Sequence, residues 1–197
     1  MSAAIAMRPL ASLAIPQSGA SRLAVQALLV IGGTLLLTLS AKTKVVLGPV
    51  DMSLQTLAVL LIATAFGARM AVATVLLYLI EGAMGFPVFQ STPEKGIGLA
   101  YMMGTTGGYL AGFVVMAAIA GWAADRGFDR SPFTLFGAML VAEAVMLSMG
   151  FAWLAAFVGF EKAWLFGVQP FLVADLIKVA LAAAIVPAVW SLVPGKG

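Results

Sequence analysis

The chain has 197 residues, 62% of them hydrophobic and only 10% charged, with a mean hydropathy of +1.08. Soluble domains carry about 25% charged residues, and the 11 basic and 8 acidic residues here cannot cover a water-facing surface. The composition argues against a cytosolic enzyme and a disordered chain, and the net charge of +3 comes from scattered Lys and Arg with no cluster suited to nucleic acid.

There is no Cys and no His. Disulfides, thiolate or imidazole metal sites and Ser–His nucleophiles are therefore absent, and no enzymatic activity, metal or resident cofactor is expected. Charges punctuate the chain: 23–41, 52–68, 96–124, 144–160 and 179–195 contain none. Such runs approach the ~20 apolar residues that cross a hydrocarbon core. They predict an all-α integral membrane protein with six transmembrane helices, at about 21–41, 52–68, 69–84, 103–124, 132–158 and 169–193. Residues 1–20 read as a cytoplasmic N-terminal segment, 21–193 as the membrane domain and 194–197 as a C-terminal tail. The first span exceeds the 7–15 residues of a signal-peptide core and reads as a retained helix.

Spans two and three meet at Phe66-Gly67-Ala68-Arg69, which predicts a tight helical hairpin. Three irregular links fall at the other end: Lys42 to Asp51 with Gly48-Pro49, the long stretch Gly85 to Met102, and Gly159 to Val168. Long structureless loops are often lids or binding loops. All five Arg residues fall on the side of the N-terminus, which places both termini in the cytoplasm and the three links outside.

Four ionisable residues lie inside spans: Glu81, Glu143, Asp175 and Lys178. Such groups are costly in lipid and usually face a bundle interior or a cavity. Asp175 and Lys178, spaced i, i+3, share one face of the last helix. Together they offer an acceptor-only group beside a donor-only group. They suit a neutral ligand carrying both N–H groups and a carbonyl, and equally suit an ion pair joining helices; the residues alone leave both open. Glu81, a turn from the outer end of span three, reaches either the same cavity or water. Glu143 is expected well below Lys178 in depth, as a neutral acid packed against a helix and not as a ligand group.

Gly104, Gly108 and Gly112 line one face of span four and are expected to pack closely against another helix. No Gly-Lys-Ser/Thr follows them, so the chain has no phosphate loop for ATP. Ala20 and Ala24 form a small-xxx-small pair at the start of span one. The aromatics Phe86, Phe89, Tyr101 and Trp164 collect at the outer boundary as an interfacial belt or, for Phe89 especially, a wall on which a ligand stacks. Asp125 and Asp129 beside Arg126 and Arg130 are expected to form a solvated ion cluster.

The strings Ser53-Leu54-Gln55-Thr56-Leu57, Tyr78-Leu79-Ile80-Glu81-Gly82, Gly85-Phe86-Pro87-Val88-Phe89, Gly104-Thr105-Thr106-Gly107-Gly108-Tyr109 and Asp175-Leu176-Ile177-Lys178 together resemble the BioY family over about residues 21 to 193. These are the biotin-binding S components of energy-coupling-factor (ECF) transporters. The resemblance implies the S-component fold in a bacterial cell membrane, with biotin captured near the outer face. Asp175 and Lys178 match the family's motif for the ureido ring; Gln55, Tyr78 and Tyr109 fall on motif positions of the same site. The biotin carboxylate is expected near water, close to Lys95, Gln90 or Tyr101. The resemblance also implies a transmembrane coupling protein and two ATPase subunits as partners, which would use ATP, with Ala20 and Ala24 as docking residues. An S component for another vitamin is a competing reading. So is a stand-alone secondary transporter, although residues 21–84 and 132–193 lack the repeat it would carry.

Overall fold

A computed structural model describes residues 9–45 and 52–193. The tail at 194–197, residues 1–8 of the N-terminal segment and the Gly48-Pro49 stretch lie outside the described residues. Among the described residues, seven helices follow in order: α1 (Ala20–Lys42), α2 (Gln55–Ala83), α3 (Gly98–Met102), α4 (Gly107–Asp125), α5 (Pro132–Val158), α6 (Phe160–Gly167) and α7 (Phe171–Ser191). Short 3₁₀ turns occupy Leu10–Leu13 and Phe128–Arg130. The long helices consist mainly of Ala, Leu, Val, Met and Ile, and a helix satisfies its own backbone where lipid offers no hydrogen bonds.

Among the described residues, five helices are long and apolar enough to cross a membrane, but they make six passes. Gln55 Nε2 donates to the Tyr78 hydroxyl at 2.8 Å across 23 residues. A continuous helix would hold those positions about 34 Å apart, so α2 folds back on itself. The reversal is at Gly67, whose φ of 75° and ψ of 169° fall in a region essentially restricted to glycine. The restarted half needs a cap, and Asp125 at the end of α4 supplies it: Oδ2 accepts the Ala68 N–H at 3.0 Å. Gly121 of α4 lies under the same turn, where a β-carbon would collide with the Ala68 backbone. The predicted hairpin is thus present, fastened to the C-terminal end of α4.

α4 is the centre of the bundle, packed against α2 on one side and α5 on the other; α7 packs on α5 and α2, and α1 on α2. In α4, Gly108 and Gly112 bear the close approach to α5, meeting Trp153 and Met146 respectively. Gly104 is not part of that face, because α4 begins at Gly107 and not near 103. It lies in the preceding turn, and its carbonyl accepts the Trp153 indole N–H at 2.8 Å.

Two further expectations are corrected. The link from Gly159 to Val168 is mostly helix: Phe160 to Gly167 contains no breaker between its bounding glycines, and α6 fills the interval. Asp125 and Asp129 do not form a solvated cluster. Asp125 caps α2, and Asp129 is wholly buried, accepting the Trp190 indole N–H while Arg130 stacks on the Trp190 ring 3.3 Å from its centre. Burial pushes the Asp129 carboxyl above its usual range, partly offset by Trp190 and Arg130.

Candidate ligand-binding site

The described parts of the three predicted outer links converge at one end of the bundle. Lys44 and Val45 pair antiparallel with Met52 and Ser53. Lys42, at the end of α1, donates from Nζ to the Phe89 carbonyl at 2.9 Å and to the Thr92 hydroxyl at 2.8 Å, fastening the long loop to α1. The Tyr101 hydroxyl donates to the Gln90 carbonyl at 2.8 Å, and the Tyr109 hydroxyl to the Gly167 carbonyl at 2.7 Å, tying α6 to α4. Burial raises the Tyr101 hydroxyl above the ordinary tyrosine range, so it remains a donor at neutral pH.

Beneath these links is a cavity of about 570 Å³, within the size range of small-molecule sites. Of the sequence-predicted residues, Gln55, Gln90, Tyr101, Tyr109, Asp175 and Lys178 line it, as does Lys95. Tyr78 and Phe89 do not. Tyr78 is fully buried, accepting from Gln55 and donating to the Val88 carbonyl at 2.9 Å. Phe89 is buried against Gly82, with its ring edge-on to Tyr78 and stacked on Tyr101 at 5.2 Å. Both residues brace the loop and the Gln55 side chain from behind the cavity wall. Ala20 and Ala24 are exposed at the opposite end of α1.

At the buried end of the cavity, Lys178 Nζ lies 2.9 Å from Asp175 Oδ1. Both residues are almost wholly buried, at 6% and 2% exposed. Thr56, which sequence reasoning missed as a site residue, completes the group: its hydroxyl donates to Asp175 Oδ1 at 3.2 Å and accepts from Lys178 at 3.1 Å. These bonds use two of the three lysine N–H donors and leave Asp175 Oδ2 without a partner among the described residues. A buried ion pair is stable only when its remaining donors and acceptors are met; here the unmet ones belong to a pair that borders a cavity. Phe113, Met146, Leu147, Leu154, Phe166 and Phe171 supply the apolar part of the lining, and exposed Lys95 and half-buried Gln90 stand at its outer part.

Of the two remaining acids, Glu81 does not line the cavity: it is half-buried and accepts the Thr34 hydroxyl of α1 at 3.0 Å. Glu143 is not well below Lys178 but faces both Asp175 and Lys178 from α5. Counted from Pro132 and Ser191, which share one end of the bundle, Glu143 and Lys178 lie about 16 and 20 Å along their helices, within a turn of one another. α5, with 27 residues, is longer than the bilayer needs, so its ends are a poor gauge of depth.

A six-pass helical bundle holding a loop-covered cavity, with a buried acid–base pair at its closed end, defines a membrane-embedded small-molecule-binding protein. The chain belongs to the BioY family, whose model matches residues 11–195. It is 38% identical over 150 residues to the probable biotin transporter BioY of Pyrococcus horikoshii, covering 76% of this chain and 86% of that one. It is 36% identical over 154 residues to the biotin transporter BioY of Thermotoga maritima, covering 77% and 88% of the two chains. The fold matches a crystal structure of the S-component for biotin from an ECF-type ABC transporter, with a TM-score of 0.76 over 89% of this chain and 96% of that one, at 17% identity.

Proposed function

We propose that this chain is the biotin-capturing membrane subunit of an uptake system, and that biotin occupies the cavity with its ureido ring at Asp175 and Lys178. The observation that carries the reading is the buried Asp175–Lys178–Thr56 group, with unused hydrogen-bonding capacity, at the closed end of a cavity in a BioY-family chain. A ureido ring carries N–H donors and a carbonyl acceptor. The Asp175 carboxylate accepts an N–H, and the third N–H of Lys178 donates to the carbonyl. The thioether ring and the aliphatic tail pack on the apolar lining, while the tail carboxylate stays near water beside Lys95 and Gln90. Neutral at one end and charged at the other, the ligand matches a cavity whose closed end pairs its own charges.

The cavity end faces outward and both termini face the cytoplasm, in the direction given by the Lys and Arg distribution. The chain has no phosphate loop, so uphill transport draws on ATPase subunits acting through a coupling protein, with the exposed Ala20 and Ala24 as part of the docking face. Titration calorimetry of the detergent-solubilised chain tests the reading: one biotin site per chain is expected. Absence of heat, together with no competition by biotin in a labelled-ligand assay, contradicts it.

A further inference from the structure

Glu143 is 4% exposed, and among the described residues it is the buried acid for which neither carboxyl oxygen has a hydrogen-bond partner. It does not line the cavity but lies behind the ion pair, facing Asp175 and Lys178 on α7. The other elements packed on α5 offer it nothing. On α4, the titratable groups are Tyr109, engaged with the Gly167 carbonyl, and Asp125, engaged with the Ala68 N–H. Asp129 and Arg130 belong to the Trp190 cluster at the far end, and Glu161 and Lys162 of α6 are exposed. Lys178, the cation that faces Glu143, makes its hydrogen bonds to Asp175 and Thr56.

Two ionised carboxylates held side by side away from water repel one another, and neither can donate to the other. Glu143 has two acceptor oxygens and no donor; Asp175 Oδ2 has the same defect. One proton resolves both. We propose that Glu143 is kept as the neutral acid and donates its O–H to Asp175 Oδ2, making it a positioning residue for the Asp175–Lys178 pair.

Lone-pair accounting gives this role its content. A carboxylate offers about four acceptor positions. Lys178 and Thr56 take two on Oδ1, Glu143 takes one on Oδ2, and one remains for a ligand N–H. Held from three sides, the Asp175 carboxylate presents that last position without having to turn. The three ionisable groups then sum to zero charge, which suits a neutral headgroup and spares the ligand carboxylate a repulsive site. This last point rests on the biotin reading; the shared proton does not.

The test has two readouts. In the ligand-free protein, infrared spectroscopy should show the carbonyl stretch of a protonated carboxylic acid that disappears in Glu143→Gln. Failure to find a band that depends on Glu143 overturns the proposal, whether or not biotin binds. In biotin titrations, Glu143→Leu removes the donor and should weaken affinity by about tenfold. Glu143→Gln, whose amide N–H replaces the acid O–H, should recover most of that loss. Gln weakening binding as much as Leu overturns the positioning role. If Glu143→Leu does not fold, the infrared band and the Gln variant decide alone. Wild-type protein that binds no biotin but shows the band contradicts the functional reading and supports this one.

Discussion

At the scale of single residues, one threonine hydroxyl decides how the buried ion pair is held. Thr56 both donates to Asp175 and accepts from Lys178, so its loss leaves a donor and an acceptor short at the same site. Thr56→Val keeps the shape and removes the hydroxyl. The expected result is a loss of about tenfold in biotin affinity with little change in the thermal unfolding midpoint, read by titration and by melting in the same detergent. Unchanged affinity would mean that Thr56 only fills space. Asp175 and Lys178 were legible in the sequence because a charge in an apolar run is conspicuous on energetic grounds alone. Thr56 was not singled out, because threonine is common in membrane helices and its partners lie 119 and 122 residues away. Tyr78 and Phe89 were legible as residues of this region but not as its second layer. Their rings pack on each other, and that of Phe89 stacks on Tyr101; no spacing along the chain says which aromatic reaches the cavity.

Among the elements, the helices were readable from charge-free runs and the hairpin from Gly67, while the connections were not. A run of apolar residues has the same meaning in any register, but the content of a link depends on what it touches. Phe160 to Gly167 became α6 because it has an apolar face to lay on α5 and no proline to stop it. Asp129 shows the same limit from the opposite side. In sequence it stands among charges, yet the fold turns it inward to the Trp190 indole and so clasps the end of α7 to the α4–α5 turn. Asp129→Ala leaves that indole N–H unpaired in a buried place and removes the anion beside Arg130. A cost of about 1–3 kcal/mol is expected, seen as a lowered midpoint of thermal unfolding, with biotin affinity in the folded protein retained. An unchanged midpoint would return Asp129 to the solvated role its neighbours in sequence suggested.

For the molecule as a whole, the two ends of the bundle do different work. One end gathers the links, Lys42 and the cavity; the other is closed by the Gly67 turn, the Asp125 cap and the Trp190 cluster. The chain has no native Cys, so a Cys introduced in place of exposed Lys95 reports orientation cleanly. It should react with an impermeant reagent added outside the cell, and labelling solely from the cytoplasmic side would reverse the topology. The central claim is that the cavity binds biotin through Asp175 and Lys178, and that these residues are not simply an ion pair joining helices. Replacing both by apolar residues of similar size separates the two roles, because exchanging a whole buried pair is often neutral or stabilising, whereas breaking it is not. Removing charge-assisted hydrogen bonds to a ligand costs roughly 2–4 kcal/mol, or about 30- to 1,000-fold in affinity. The decisive measurement is a biotin titration of Asp175→Leu/Lys178→Met beside the parent chain, both verified as folded by their melting curves. The account predicts a stable double variant with affinity lowered by at least that factor; a stable double variant that binds biotin as the parent does would contradict it.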